Sequence, residues 1–288
     1  MSPRLVLVIA VLTVRETARR RILWVLLGLA IVSVIVVAWG TGHLVDYARA
    51  HGVGETQVRI GVSQVLILIA FMFSFVLAMS AAFLAAPAIS ADVESGTVLA
   101  LLARPLGRAD LVIGRWLGLA LVISVYTAVS ASAAVAAVGY VSGNVPPEPL
   151  TAVVFLAFQA VATLTLGLSL GTRLPAIAAG AITVVLFALS WFAGALGSLA
   201  GIMGTGALGS GLELIHVALP TDVLWRGVVY GLEPPLVVLL ADGLRNAAVT
   251  SNPFFADSPP GLSQVGWAVA WVALVLAGGV LLFRRREL

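Results

Sequence analysis

Six long apolar runs, separated by charged or proline-rich stretches, are the feature that most limits how this chain can fold. A helix needs about 20 predominantly apolar residues to cross a bilayer. Of the 288 residues, 61% are hydrophobic and 10% are charged, whereas a soluble domain carries about 25% charged residues. The sequence therefore predicts an all-α polytopic membrane protein, with one transmembrane domain over residues 1–288. The six predicted spans are residues 22–39, 60–87, 112–141, 150–170, 176–201 and 265–283.

The arginines predict how the spans are oriented. All 16 basic residues are arginines, and six spans place 12 of them on the side of the two termini and 4 on the other side. Positively charged residues near span ends favour the cytoplasmic side. We therefore expect both termini in the cytoplasm and the chain in the plasma (inner) membrane. The 12 residues are Arg4, Arg15, Arg19, Arg20, Arg21, Arg104, Arg108, Arg115, Arg173, Arg284, Arg285 and Arg286.

Two segments outside the spans predict further helices. The apolar run within residues 1–21 is too short to cross the bilayer and is followed by arginines, which favours an interfacial helix over a signal peptide. Residues 202–264 form a long external segment in which Thr221 or Asp222 is suited to cap a helix. Short helices resting on the outer membrane face are expected there, with a mobile loop as the alternative.

A charged loop covers residues 91–108. Asp92 is placed to cap a helix that runs from Val93 to about Ala103 and ends before Pro105, because the residue preceding proline avoids helical geometry. Leu101 and Leu102 give this helix an apolar patch, although the charges keep it out of the bilayer. The leucines suit a contact with a groove on a soluble partner, or they pack on this chain's own spans. The residues alone leave both readings open.

Composition excludes several chemistries. The phosphate-binding loop and a Schiff-base site each require a lysine, and the chain has none. If nucleotide energy drives this protein, it must therefore come from another polypeptide. The net charge of +3 gives no case for nucleic acid. No metal site is predicted, because His43, His51 and His216 lie far apart without helical pairing.

The predicted spans contain few polar side chains. No carboxylate or base falls at the centre of a span, which argues against a proton-coupled secondary carrier. Hydroxyl and amide side chains inside the spans are the weak candidates for a substrate path. They are Ser124, Thr127, Gln159 and Thr163.

The charged loop also carries a motif, made of Glu94-Ser95-Gly96-Thr97, Leu101-Leu102, Pro105, Arg108 and Gly114-Arg115. The order and spacing of these residues resemble the loop between the second and third spans of ABC-2-type transporter permeases, with Arg115 where that family usually has Lys. The rest of the chain agrees in layout, and the closest resemblance is to the subgroup that contains the copper-processing permease of nitrous-oxide-reductase maturation.

The resemblance implies that this loop is a coupling helix seated in a groove of an ATP-hydrolysing subunit. By the same implication, Glu94 and Thr97, with Gly96 between them, fix the start of the helix, and Leu101 and Leu102 fill the groove. The other implied roles are an exit turn at Pro105 and contacts with acidic groups of the ATPase or with phospholipid at Arg104 and Arg108.

The function that the resemblance implies is the permease subunit of an ABC transporter. This chain would itself be no enzyme and hold no cofactor, since ATP and Mg would be bound by the ATPase. A permease homodimer with two ATPase subunits is implied, in contact with membrane lipid, and export is favoured by family analogy. The alternatives are an ATP-independent secondary carrier and a membrane-embedded enzyme, for which Asp242-Gly243-Leu244-Arg245 is the nearest sequence fragment.

Overall fold

The protein is built of helices. The computed structural model describes residues 2–19, 21–95, 107–203, 214–235, 237, 239, 254–256 and 258–286. All regular secondary structure in these ranges is helical, including a short helical stretch over residues 214–218. The longer helices are α1 (Pro3–Arg19), α2 (Arg21–Ala50), α3 (Glu55–Ala85), α4 (Pro87–Glu94), α5 (Arg108–Ser142), α6 (Pro149–Gly171), α7 (Ala176–Met203), α8 (Thr221–Leu232) and α9 (Leu262–Arg284).

Six helical segments in the described ranges are long and apolar enough to cross a membrane, namely α2, α3 with α4, α5, α6, α7 and α9. This confirms the predicted fold class and the number of spans. The helices extend beyond the predicted spans, because hydropathy marks the apolar stretch whereas backbone hydrogen bonds continue through polar residues. Helix α2, for example, runs on to Ala50 and is followed by Gly52 with a φ of 74°, a backbone conformation that ends helices.

The bundle has two faces. We call the face that carries α1 and the C-terminal end of α9 the terminal face, and the opposite one the distal face. Helix α6 runs from the distal face at Pro149 to the terminal face at Gly171. A Cβ on Gly171 would collide with the carbonyl oxygen of Ala86, which joins α3 to α4. Helix α4 and its charged residues therefore lie at the terminal face.

Helix α6 lies at the centre of the bundle, against α3, α5, α7, α8 and α9. Its closest approach to α3 occurs where Gly167 and Gly171 face the backbone of Ala82 and Ala86. Lipid provides no hydrophobic driving force between helices, so close van der Waals contact between small residues has to hold them together. The two glycines are four residues apart, a spacing typical of close contacts between membrane helices.

Helix α1 packs across the beginning of α5. A Cβ on Gly114 would lie 2.6 Å from Cβ of Ile9, and a Cβ on Gly118 would lie 2.7 Å from the carbonyl oxygen of Ala10. These glycines let the two backbones approach. The other side of α1 exposes apolar side chains, as an interfacial helix requires. Those side chains are Leu7, Val8, Val11 and Leu12.

Residues 214–218 and α8 form a helical hairpin that is inserted among the spans. At its tip, Gln159 Nε2 of α6 donates to the carbonyl oxygen of Thr221 at 3.0 Å. Gln159 follows Pro149, at the distal end of α6, by ten residues, which corresponds to about 15 Å along a helix. At the other end of α8, the Glu148 N–H donates to the carbonyl oxygen of Gly231 at 3.1 Å. The hairpin thus descends to about half the depth of the bundle.

Three further side chains hold the descending arm and the turn of the hairpin. The indole N–H groups of Trp267 and Trp271 on α9 donate to the carbonyl oxygens of residues 217 and 218 at 2.8 and 2.7 Å. On α7, Ser190 Oγ donates to the carbonyl oxygen of residue 219 at 2.8 Å. Carbonyl oxygens that remain open at the end of residues 214–218 and in the turn are therefore satisfied by neighbouring spans, as low-dielectric surroundings require.

The short helices predicted before the last span are present, but the hairpin does not rest on the outer face as expected. Helix α8 buries side chains around most of its circumference, among them Leu224 and Trp225, so it needs packed neighbours on several sides. The predicted cap is also wrong. Pro220 is the N-cap residue and makes no side-chain cap, whereas Thr221 and Asp222 lie in the first turn of the helix.

The contact of α1 with α5 yields a first prediction. Gly118→Val should lower the stability of the detergent-solubilised protein, because the added methyl groups meet backbone and side-chain atoms of α1; overpacking of this kind costs about 1–3 kcal/mol. The measurement is the free energy of unfolding in mixed micelles. Gly28→Val is the control, since nothing lies within 4 Å of a Cβ at Gly28. Equal losses in the two variants would contradict a tight α1–α5 contact.

Candidate functional site at the terminal face and in the buried hairpin

An ion pair joins α4 to α5 at the terminal face. The Arg115 guanidinium donates to Oδ2 of Asp92 and to the carbonyl oxygen of Ala88. The two charged side chains are only 14% and 23% exposed, so solvent screens the pair weakly. The end of the second span is thereby fastened to the beginning of the third, on either side of residues 96–106.

The ion pair corrects the role predicted for Asp92. The helix that contains Asp92 begins at Pro87 and ends at Glu94, so Asp92 is neither its cap nor the residue before its start. A capping prediction considers only neighbours in sequence, whereas Arg115 is 23 residues away and competes for the same carboxylate. The contact with Arg115 pairs the carboxylate with a full opposite charge, which backbone N–H groups do not provide.

The residues predicted for coupling divide into two groups. Glu94 is the exposed last residue of α4, and Arg108 is the first residue of α5. They bracket the loop and are not brought into contact with each other. The remaining coupling residues lie outside the described ranges, so their roles stay predictions. These are Gly96, Thr97, Leu101, Leu102, Arg104 and Pro105.

Arg108 is used within the chain. Its Nη1 atom donates to the carbonyl oxygens of Phe283, Arg284 and Arg286, at 3.4, 3.1 and 2.6 Å. These carbonyls lie at the end of α9, where a helix leaves its last acceptors open and its dipole favours a cation. Arg286 in turn donates to the carbonyl oxygen of Thr172 at 2.6 Å. The start of α5, the end of α9 and the α6–α7 turn are therefore linked.

The hairpin carries a buried charged cluster that the sequence does not reveal. Asp222 is 4% exposed, and its Oδ2 lies 3.2 Å from Arg226 Nε and 3.3 Å from His216 Nδ1. The carboxylate also lies so close to Gly194 of α7 that a Cβ there would collide with it. A carboxylate removed from water is stabilised by partners such as the Arg226 guanidinium and the His216 imidazole. The pairing with Arg226 could be found from the i, i+4 spacing, but the depth could not.

The cluster changes two expectations. His216 belongs to the segment that is predicted to be external, yet it faces a buried carboxylate. The predicted spans have no titratable group at their centres, whereas the hairpin brings Asp222 to the depth of Gln159, because Thr221 next to it accepts the hydrogen bond from that side chain. The sequence does not indicate this position of Asp222, because residues 202–264 are predicted to be external and no titratable group at bilayer depth is expected from them.

The four substrate-path candidates lie within the bundle but do not converge on one cavity. Thr127 and Thr163 are buried, and their hydroxyls donate to carbonyl oxygens four residues earlier, at 2.8 and 2.9 Å. Gln159 holds the hairpin, and Ser124 is half-buried. A cavity of 450 Å³ lies between α2, α3, α5, α6 and α8. None of these four residues is among the described residues that line it.

Comparison with known proteins adds one finding. A family model described as "ABC-2 family transporter protein" matches residues 7–288, which is nearly the whole chain. No curated protein matches the chain.

The bracing at the terminal face yields a second prediction. Asp92→Asn should lower the free energy of unfolding by about 1–3 kcal/mol, because it leaves a partly buried guanidinium without its counterion. Unfolding in mixed micelles measures the loss. The control is Glu55→Gln, which breaks the exposed pair of Glu55 with Arg49, whose side chains are 67% and 43% exposed.

Exposed pairs contribute about 0–1 kcal/mol, so the control should change stability little. The double variant Asp92→Asn with Arg115→Gln should be more stable than the sum of the single losses implies, because the two residues act on one interaction. Additive losses would show that the pair does not brace α4 against α5.

Proposed function

The chain belongs to the ABC-2 transporter family, and on that premise we propose that it is the permease subunit of an ABC exporter driven by a separate ATPase. The observation that carries this proposal is the ion pair of Asp92 with Arg115. It ties α4 to α5 on either side of the loop that is proposed to contact the ATPase. A force applied to that loop therefore acts on two spans together.

The connections of the loop extend to a third span. Helix α4 follows α3 after a break at Ala86 only, so movement of α4 is passed to the second span. Arg115 passes it to α5, and Arg108 links the start of α5 to the end of α9. Packed helices behave as stiff bodies, which makes the terminal face a suitable point for mechanical input.

The proposed contacts with the ATPase are those of the family motif. Glu94 is exposed at the end of α4, so its side chain is accessible to a partner protein. In this proposal Gly96 and Thr97 begin the coupling helix, Leu101 and Leu102 enter the groove of the ATPase, and the helix ends before Pro105. Arg104 and Arg108 are placed for acidic groups of the ATPase or for phospholipid, in addition to the bonds that Arg108 makes inside the chain.

The proposal also covers the assembly and its orientation. ATP and Mg belong to the ATPase subunit, since this chain has no lysine for a phosphate-binding loop. Two copies of the chain with two ATPases are proposed, in the plasma membrane, with the terminal face in the cytoplasm because 12 of the 16 arginines fall on that side. Membership of the copper-processing subgroup stays a prediction.

A secondary carrier is the second candidate, and one observation favours it. Asp222, with His216 and Arg226, is a buried titratable cluster at half the depth of the bundle, and ionisable groups at such depth often belong to proton or ion pathways. Asp222→Asn should leave ATP-driven transport by the complete transporter in place if the cluster is structural. Uptake driven by a pH gradient in liposomes without an ATPase, and lost in Asp222→Asn, would favour the carrier instead.

The coupling assignment yields a third prediction. Leu101→Asp combined with Leu102→Asp should leave membrane insertion intact and abolish the ATPase activity that co-purifies with the tagged chain from its native membrane. The reason is that two carboxylates cannot enter an apolar groove without a large desolvation cost. The measurement is ATP hydrolysis per mole of purified chain.

Leu262→Asp is the matched control, because Leu262 is 93% exposed at the start of α9 and lies on the distal face. It introduces one carboxylate on the side that the ATPase is not proposed to reach, so activity should persist. If both the double variant and the control retain an active, bound ATPase, the assignment of the coupling helix is wrong.

A further inference from the structure

The 450 Å³ cavity opens sideways between α2 and α3. Two residues of α2 and two of α3 both line the cavity and are more than half exposed: Val32 (56%), Val36 (58%), Leu68 (53%) and Met72 (53%). They form a rim around an opening in the side of the bundle. Towards the distal face the two helices close together again, where Val45 packs in one cluster with residues of α3 and α5.

The opening faces lipid. Its rim lies in the middle of the first two spans, far from either helix end, and the side chains around it are apolar. The floor of the cavity is formed by α6 and by the hairpin helix α8, through Val153, Leu156 and Val228. A molecule that enters from the bilayer therefore reaches the inserted hairpin without passing through water.

The apolar lining of the cavity favours a hydrocarbon ligand. Among the lining residues that the structure describes, the polar side chains are Ser33, Tyr126 and Ser130, and the last two share a side-chain hydrogen bond. A sugar, peptide or ion placed here would lose its hydrogen bonds to water without replacement, which costs several kcal/mol for each polar group. A hydrocarbon chain gains from each methylene that it buries.

The size of the cavity suits a hydrocarbon chain. An apolar cavity of about 150 Å³ is enough to bind benzene, and this cavity, at 450 Å³, is about three times as large.

We propose that one hydrocarbon chain of a membrane lipid enters between α2 and α3 and occupies this cavity, and that lipid amphiphiles are the substrate class. The second statement rests on the proposed function as a permease. The walls on α3 and α5 are the two helices tied to the loop through α4 and Arg115. Movement of that loop therefore changes the shape of the chain-binding cavity.

The site is tested with phosphatidylcholine that carries a diazirine in one acyl chain. The intact protein in nanodiscs is irradiated, and the labelled residues are mapped by mass spectrometry. Label is expected on buried lining residues such as Ala131 (9% exposed) and Val153 (7%), which bulk lipid does not touch. Ala134→Trp should reduce this label about tenfold, because the indole fills the cavity.

Ala133→Trp is the matched control, since Ala133 is exposed and is not part of the lining. It should retain the label. Ser33→Phe fills the cavity from the α2 wall and provides a second variant if Ala134→Trp does not fold. Label confined to exposed residues, label unchanged in both filled variants, or cross-links to a second copy inside the cavity would each overturn the proposal.

The substrate role is tested separately, on the complex purified with its ATPase. Phosphatidylcholine should stimulate ATP hydrolysis in the wild type and in Ala133→Trp, and about tenfold less in Ala134→Trp. Label in the cavity without such stimulation would overturn the substrate assignment. Absence of any ATPase from the purified chain would instead contradict the proposed function, while the labelling result would still decide whether the cavity binds a hydrocarbon chain.

Discussion

Close contact between small residues of α3 and α6 is the interaction on which the rest of the structure depends. Gly167 and Gly171 of α6 meet the backbone of Ala82 and Ala86, which fixes the distance and register of the two helices. Helices α5, α7, α8 and α9 then pack against α6. Without solvent to favour association inside the bilayer, only such close van der Waals contact and satisfied polar groups stabilise the arrangement.

Polar contacts at two levels of the described part of the chain bear on the proposed function. At the terminal face, Arg108, Arg115 and Arg286 bind a carboxylate and carbonyl oxygens at the helix ends of neighbouring elements. At half depth, side chains of α6, α7 and α9 bind the carbonyls of the hairpin. The first level suits mechanical input, and the second gives the hairpin a fixed position beside the apolar cavity. Helices α3 and α5 are tied to the loop at the terminal face, and they also form walls of the cavity.

The spans and their number were predictable, because length and hydropathy of a helix that crosses lipid are properties of local sequence. Contacts between residues that lie far apart in the sequence were not predictable. The sequence around Asp92 has the form of a helix cap, and nothing local indicates that Arg115 binds the same carboxylate. Gly114 and Gly118 have a spacing that is common by chance among 29 glycines, so their contact with α1 could not be distinguished beforehand.

The depth of α8 was missed for a related reason. Its sequence, with Trp225 and Tyr230, is typical of a helix at the membrane surface, and its position is decided by donors elsewhere in the chain. Gln159 lies 62 residues before its acceptor. The cavity likewise arises from five helices and has no sequence signature. The candidate site could therefore be located from the sequence only at the charged loop.

The tryptophan bonds to the hairpin also bear on how the protein is made. The acceptors at residues 217 and 218 emerge from the ribosome about 50 residues before Trp267 and Trp271, which bind them. During synthesis the descending arm therefore precedes its donors. The two indole hydrogen bonds to residues 217 and 218 can form only once α9 has been synthesised.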